Sequence, residues 1–142
     1  MSIKIKRLDQ NVKIPKYETP GSVGFDLAAN EDIEIAPKEI KLISTGLIIE
    51  VPKGYMLLVA SRSSTPRKKG LLKPHGIGII DQDYCGPNDE IKIQVYNFTD
   101  KIAKIEKGER IAQGIFIRID TFDFQDLAEI KKENRGGFGS TG

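Results

Sequence analysis

GIGIIDQDYCG, residues 76–86, is the stretch from which both the fold and the site can be predicted. An apolar run at 78–80 ends in Asp81, and Tyr84 and the turn glycine Gly86 follow. This order predicts a β-hairpin whose closing end presents a carboxylate and a phenol to a cavity. Such a carboxylate can take a proton from water, and the ring can lie against a sugar or a base. An ordinary hairpin with a polar tip is the alternative, because acidic turn residues are common.

Length and composition restrict the class of protein. A chain of 142 residues can bury one core, so we expect a single domain over 1–142. Charged residues make up 30% of the chain with a net charge of only +2, which gives no basis for a general nucleic-acid or membrane surface. The single cysteine, Cys85, and single histidine, His75, exclude an internal disulfide and a zinc-type ligand cluster.

The N-terminal stretch MSIKIKRLDQ alternates charge with isoleucine, and no apolar run approaches the length that spans a membrane. We therefore expect a soluble, intracellular protein of the cytoplasm.

Short strands separated by Gly and Pro turns dominate the pattern. They are predicted at 3–6, 33–35, 40–51, 55–60, 91–96, 102–105 and 110–119. A single short helix is predicted after the strand at 55–60, in residues 64–70, with its cap at Ser64 or Thr65, Pro66 in its first turn and Gly70 at its end. The predicted fold is all-β, a sandwich or barrel of jelly-roll type.

Three polar positions allow two interpretations each. The start of the helix and Arg62 together suit a phosphate group, but a capped surface turn fits the same residues. Asp26 lies in an otherwise apolar segment. It either has a functional role, or it follows a turn that enters a strand and is solvated or caps backbone amides. Gln113 has apolar neighbours, so its amide needs backbone partners or a ligand.

The chain closes with RGGFGSTG, residues 135–142, which is too rich in glycine to hold a rigid structure unaided. An arginine, an aromatic ring and two hydroxyl groups are what a flexible lid needs to clamp phosphates and stack on a base. We expect residues from about 121 to 142 to form a flexible C-terminal arm.

Five stretches together resemble, in order and spacing, the five motifs of the trimeric dUTP pyrophosphatases (dUTPases). They are PGSVGFDLAA (20–29), ASRSS (60–64), GIGIIDQDYCG (76–86), GERIAQGIF (108–116) and RGGFGSTG (135–142). The resemblance implies a jelly-roll homotrimer with active sites between subunits, each completed by the arm of a neighbour. It also implies Mg²⁺-dependent hydrolysis of dUTP to dUMP and pyrophosphate, which supplies dUMP and keeps uracil out of DNA. The Mg²⁺ is then held through substrate phosphates and water, with no direct protein ligand.

Roles follow from the resemblance by motif position. Asp81 is implied to be the general base for the water that attacks the α-phosphate, and Tyr84 to pack against deoxyribose and leave no room for a 2′-hydroxyl. Asp26 is implied to support the site and its hydrated metal. The implied phosphate contacts are Arg62, Ser63, Ser64 and Gln113. The implied contacts to the uracil edge are the backbone of Gly78, Ile79 and Ile80. The implied arm residues are Arg135, Phe138, Gly139, Ser140 and Thr141, with Phe138 stacking on uracil.

Two further positions complete the predicted site. Lys92 lies where some members of the family contact substrate. His75 stands where an asparagine is usual in the family, and it is included among the predicted substrate contacts. The turn from Cys85 to Glu90 is a few residues longer than in many members, and Ser64 replaces a frequent glycine.

Other readings compete with hydrolysis of dUTP. A dCTP deaminase shares the fold and much of the nucleotide site, but that family shows a proline-glycine pair after the central aspartate and a catalytic glutamate further on. Here Gln82, Asp83 and Tyr84 follow Asp81. A non-enzymatic regulator that binds dUTP as a signal to a protein partner is a second alternative. A β-sandwich carrier with chance motifs is a third.

Overall fold

Residues 2–140 and 142, which this computed structural model describes, form eleven β-strands and one five-residue helix. The strands are β1 (Ile5–Arg7), β2 (Phe25–Ala28), β3 (Ile33–Ile35), β4 (Ile40–Ser44), β5 (Leu47–Ile49), β6 (Tyr55–Ser61), β7 (Leu71–Leu72), β8 (Gly78–Ile80), β9 (Lys92–Asn97), β10 (Ala103–Ile105) and β11 (Arg110–Arg118). The helix is α1 (Thr65–Lys69). The prediction of an all-β fold with one short helix is confirmed.

All strand pairs are antiparallel, and two larger sheets carry most of the chain. One sheet has the strand order β2, β11, β6, β8, and the other has the order β4, β9, β7. Two smaller pairs, β1 with β5 and β3 with β10, complete the pattern. The helix follows β6 as predicted, with Ser64 as its N-cap, Pro66 in its first turn and Gly70 at its C-cap with φ 65°.

The core is built from the inward faces of these sheets. Leu27, Leu57 and Ile111 come from the four-stranded sheet, and Ile43 and Ile93 come from the three-stranded sheet; each is at most 1% exposed. Burying an aliphatic side chain of this size stabilises the fold by about 1.5–3 kcal/mol. Within residues 2–140 and 142, no helix has the length and apolar character needed to cross a membrane.

Gly114 on β11 makes room for side chains from its two neighbouring strands, and it gives a test of the core. A Cβ at this position would lie 2.6 Å from Phe25 Cζ and 3.1 Å from Leu57 Cδ1. We expect Gly114→Ala to lower the free energy of unfolding by about 1–3 kcal/mol, because overpacking forces the ring to move. Urea denaturation measures the change. Gly21→Ala is the matched control, since nothing lies within 4 Å of its added Cβ; equal stability of both variants would contradict the packing.

The predicted hairpin at 76–86 is wrong. β8 pairs with β6, whereas β9, the next strand along the chain, pairs with β4 and β7 in the other sheet. The segment 81–91 is therefore a crossing between sheets, and it contains a turn in which Asp89 N donates to the Gly86 carbonyl at 3.1 Å. The predicted strand at 40–51 is likewise two strands, β4 and β5, separated by Gly46 with φ 68°.

Candidate active site

A carboxylate held between two guanidinium groups occupies one end of the four-stranded sheet. Asp26 lies on β2, Arg62 directly follows β6, and Arg110 begins β11. Arg62 Nε donates to Asp26 Oδ1 at 2.7 Å, and Arg110 Nη1 donates to Oδ2 at 3.0 Å. Because the Asp26 side chain is only 19% exposed, salt screens these pairs less than it screens surface pairs. Asp26 therefore fixes the direction of two cations.

Gln113 lies beside this cluster on β11. In the strand register it faces Asp26 on β2 and Ala60 on β6. Its Nε2 donates to the backbone oxygen of Ser61 at 3.0 Å, and this is the backbone partner that a half-buried amide requires. The structure thus brings together Arg62, Gln113 and Asp26, all of which the sequence singled out.

The two predicted serines lie next to Arg62 at the start of α1. Ser63 is exposed and Ser64 is half-buried. The Ser64 side chain makes no capping hydrogen bond, while its carbonyl accepts from Lys68 N at 2.8 Å. A hydroxyl beside a fixed guanidinium can donate to the oxygens of a phosphate group. This end of the sheet is suited to bind an anion.

The C-terminal end of the helix carries an ion pair. Lys69 at the end of α1 pairs with Glu109, which precedes β11. Burial raises the pKa of the Glu109 carboxyl, but hydrogen bonds from Lys69 and the Glu106 backbone outweigh it and hold that pKa below its usual range. The pair ties α1 to the strand that carries Arg110 and Gln113.

Asp81 and Tyr84 lie elsewhere in the chain. The register pairs Gly78 with Val59 and Ile80 with Leu57, so β8 runs away from Arg62 toward the first residues of β6. Six strand residues at roughly 3.3 Å each place Asp81 about 20 Å from Arg62 along the sheet. Within one chain the structure does not bring the predicted base to the predicted phosphate-binding residues.

The loop that holds these two residues is internally bonded. Tyr84 N donates to the Asp81 carbonyl at 3.3 Å, and the Tyr84 hydroxyl donates to the carbonyl of Glu90 at 3.0 Å. The Asp81 side chain is exposed, and Tyr84 is 39% exposed. A carboxylate and an aromatic ring are thus both open to a ligand.

β8 is an edge strand of the four-stranded sheet, with β6 on one side only. Within residues 2–140 no strand pairs with the outer side of β8. The backbone groups on that side can therefore bind the polar edge of a planar ring. Gly78 lies tightly against β6, because a Cβ there would lie 3.3 Å from Val59 Cβ, and the same Cβ would lie 3.8 Å from His75 Nε2. His75 therefore borders the same strand edge. Two residues earlier, burial lowers the pKa of the Lys73 ammonium.

Lys92 begins β9 in the other sheet and is exposed. It directly follows the loop of Asp81 and Tyr84, and it faces Ser44 in the register of β4 and β9. The register therefore places Lys92 beside Ser44 in the three-stranded sheet, and not in the sheet that carries the arginine cluster.

The arm residues contact little of their own chain. Every residue from 121 to 140 is exposed and lies outside helices and strands. The Phe138 ring is fully exposed, Arg135, Gly139 and Ser140 are exposed, and Thr141 lies outside the described residues. Four other large apolar side chains of this segment are at least 58% exposed: Phe122, Phe124, Leu127 and Ile130. The segment has an apolar surface that its own chain does not cover.

Comparison with known proteins settles the family. The dUTPase family model matches residues 10–142. The chain belongs to the dUTPase family. A deoxyuridine 5′-triphosphate nucleotidohydrolase of Lactococcus lactis is 45% identical over 140 residues, which covers 96% of this chain and 93% of that protein.

Solved structures of dUTPases share the fold. The crystal structure of a dUTPase from Streptococcus mutans superimposes with a TM-score of 0.79 at 36% identity, covering 87% of this chain and all of that one. A Staphylococcus bacteriophage 80alpha dUTPase with dUPNHPP gives a TM-score of 0.86 at 26% identity, covering 99% and 98% of the two chains. The predicted jelly-roll type and the resemblance to dUTPases are confirmed.

Two residues of this dUTPase-family chain were not predicted from the sequence. Arg110 pairs with Asp26, and its only sequence cue is that it begins a strand within GERIAQGIF. Glu90 accepts from the Tyr84 hydroxyl through its carbonyl, and it follows the lengthened turn after Cys85. The partner of Arg110 is 84 positions away and is set by tertiary pairing, whereas the bond between Tyr84 and Glu90 closes within one loop.

Proposed function

We propose that this protein hydrolyses dUTP to dUMP and pyrophosphate. The observation that carries the proposal is that the dUTPase family match runs through both ends of the sheet, with Arg62 and Gln113 at one end and Asp81 and Tyr84 at the other. The L. lactis relative at 45% identity is a nucleotidohydrolase of deoxyuridine 5′-triphosphate, which supports the same substrate.

In the proposed reaction, the Asp81 carboxylate accepts a proton from a water molecule whose oxygen attacks the α-phosphorus, and pyrophosphate leaves. Arg62, Ser63, Ser64 and Gln113 neutralise and position the phosphate chain, which is most of what phosphoryl transfer asks of a protein. Asp26 holds Arg62 in place at 2.7 Å. The β8 edge, with His75 beside it, receives the uracil edge, and Tyr84 packs against the deoxyribose.

Mg²⁺ fits this site as an ion carried by the substrate. Among residues 2–140 and 142, no three His, Cys, Asp or Glu side chains gather to hold a metal. Mg²⁺ commonly binds through substrate phosphates and retained waters, so it would need no direct protein ligand here and would be held through the phosphates that Arg62 and Gln113 position. When bound, the ion neutralises phosphate charge.

We further propose a homotrimer with shared sites and an arm from about 121 to 142. The separation of about 20 Å between Asp81 and Arg62 along one sheet supports this arrangement, because a second chain can bring its own Arg62 to the Asp81 of the first. The exposed side chains of 121–140 support the arm, since a neighbouring chain can cover them and Phe138 can stack on the base.

The deciding assay incubates the protein with dUTP, dCTP, dTTP or UTP plus Mg²⁺, and measures pyrophosphate and ammonia. We expect pyrophosphate from dUTP, far less from the other three nucleotides, and no ammonia. Ammonia from dCTP would replace the proposal with deamination. Binding of dUTP without release of pyrophosphate would favour a regulatory protein; the 80alpha relative is one of the phage dUTPases described as controlling the transfer of virulence genes.

A further inference from the structure

The loop 81–91 lacks the support of a strand ladder, so its order depends on a few contacts. Asp89 closes its turn, with Gly86 N donating to Asp89 Oδ2 at 2.7 Å and Asp89 N donating to the Gly86 carbonyl at 3.1 Å. These bonds shape the loop but do not attach it to the body of the protein. Attachment has to come from its ends, at Ile80 and near Glu90.

Glu90 connects the loop to the turn between β4 and β5. Its Oε1 accepts from Gly46 N at 2.8 Å and also from the Ser44 hydroxyl. Its carbonyl accepts from the Tyr84 hydroxyl at 3.0 Å. One residue therefore links the Tyr84 phenol to a turn in another part of the chain.

The turn that receives Glu90 is itself fixed. Gly46 has φ 68°, and a Cβ there would lie 2.6 Å from Val12 Cγ2 and 2.7 Å from Asn30 Nδ2. Its carbonyl accepts from Leu8 N at 2.9 Å, and the Ser44 carbonyl accepts from Asn30 N at 2.8 Å. Because the backbone at Gly46 is packed and bonded on several sides, it is a rigid point of attachment.

We propose that Glu90 is a positioning residue of the active site, which fixes Tyr84, and through it Asp81, against the turn at Gly46. Tyr84 N donates to the Asp81 carbonyl at 3.3 Å, so displacement of the tyrosine also displaces the base. This inference rests on the proposed function for its catalytic consequence. A loosened Tyr84 admits a 2′-hydroxyl, so discrimination between dUTP and UTP is the property that Glu90 controls.

The test compares Glu90→Ala, Glu90→Gln and Ser44→Ala with the wild-type protein. Glu90→Ala removes the carboxylate that accepts from Gly46 N. We expect kcat/KM for dUTP to fall by about ten- to a hundredfold, the scale of a hydrogen bond to a charged group. The ratio of kcat/KM for dUTP over UTP falls as well. Glu90→Gln retains an acceptor oxygen and restores most of this ratio, and Ser44→Ala, which leaves the Gly46 bond, has a smaller effect.

Glu39→Ala is the matched control for a purely structural role. Glu39 Oε2 accepts from Ala36 N at 2.7 Å in the turn between β3 and β4, so this variant also removes a carboxylate that binds a turn amide. We expect it to keep the dUTP to UTP ratio of the wild-type protein. An equal ratio in Glu90→Ala and Glu39→Ala would overturn the role of Glu90.

Amide hydrogen exchange tests whether Glu90 anchors the loop, and it does not depend on catalytic activity. We expect faster exchange over 81–91 in Glu90→Ala than in the wild-type protein or Glu39→Ala, and unchanged exchange there would overturn the inference. A wild-type protein that releases no pyrophosphate from dUTP would instead refute the proposed function, and the exchange result would still decide whether Glu90 anchors the loop.

Discussion

Asp81→Asn is expected to release pyrophosphate from dUTP about a hundred to ten thousand times more slowly than the wild-type protein. Asparagine keeps the size of the side chain but cannot accept the proton of the attacking water, which is the contribution of a positioned general base. Asp81 is exposed and forms no part of the core, so the oligomeric state and the affinity for a non-hydrolysable dUTP analogue remain unchanged. Turnover at saturating substrate and equilibrium binding of the analogue measure the two properties separately.

Asp83→Asn is the control for loss of charge in the same loop. Asp83 is also exposed, and its backbone carbonyl accepts from Cys85 N at 3.0 Å, a bond that the substitution leaves in place. Its turnover stays within about twofold of the wild-type value, as expected for a surface substitution. Near-normal activity in Asp81→Asn would refute the base assignment, and equal losses in both variants would point to the charge of the loop.

Removal of residues 134–142 is expected to lower kcat/KM for dUTP by about a hundredfold or more. The truncated protein would lose the charge-assisted bond proposed between Arg135 and phosphate and the proposed stacking of Phe138 on uracil, and stacking alone is worth about 1–3 kcal/mol. The melting temperature measured without nucleotide does not change, because the residues of 134–140 are exposed in this chain and the nucleotide is the partner proposed for Arg135 and Phe138. Steady-state kinetics of the wild-type and truncated proteins measures kcat/KM, and thermal denaturation measures the melting temperature.

A mixing experiment tests whether the arm acts on a neighbouring subunit. Asp81→Asn chains and arm-deleted chains are each expected to be nearly inactive alone. The two variants are mixed, unfolded and refolded together. If a site takes its base from one subunit and its arm from the next, every mixed trimer contains one intact site and activity returns. An inactive mixture that nevertheless contains mixed trimers would show that the arm serves its own chain.

Much of the fold could be predicted because the local sequence pattern indicates the local secondary structure. Alternation in β9 gives buried Ile93 and Val95 between less buried neighbours, and Pro66 and Gly70 bound α1. The pairing of strands is a different matter. The segment after β8 contains turn residues that suit a hairpin, but which strand β9 joins depends on β4 and β7, and no local pattern encodes that choice.

The candidate site shows the same limit. Asp26, Arg62 and Gln113 were identified from residue type and resemblance, yet the partner of Asp26 was not, because Arg110 lies 84 positions away in the chain. Glu90 and Gly46 are separated by 44 positions, and only the folded protein brings the carboxylate to that amide. Periodicity indicates which side chains are buried, but not which distant group each one meets.

The placement of Asp81 and Arg62 at opposite ends of one sheet has a genetic consequence. In the proposed trimer each chain belongs to two catalytic centres, giving its aspartate to one and its arginine to the other. A gene copy that encodes a chain defective at both positions would inactivate two of the three centres in any particle that contains one such chain. The lesion would therefore be dominant over a functional allele expressed in the same cell.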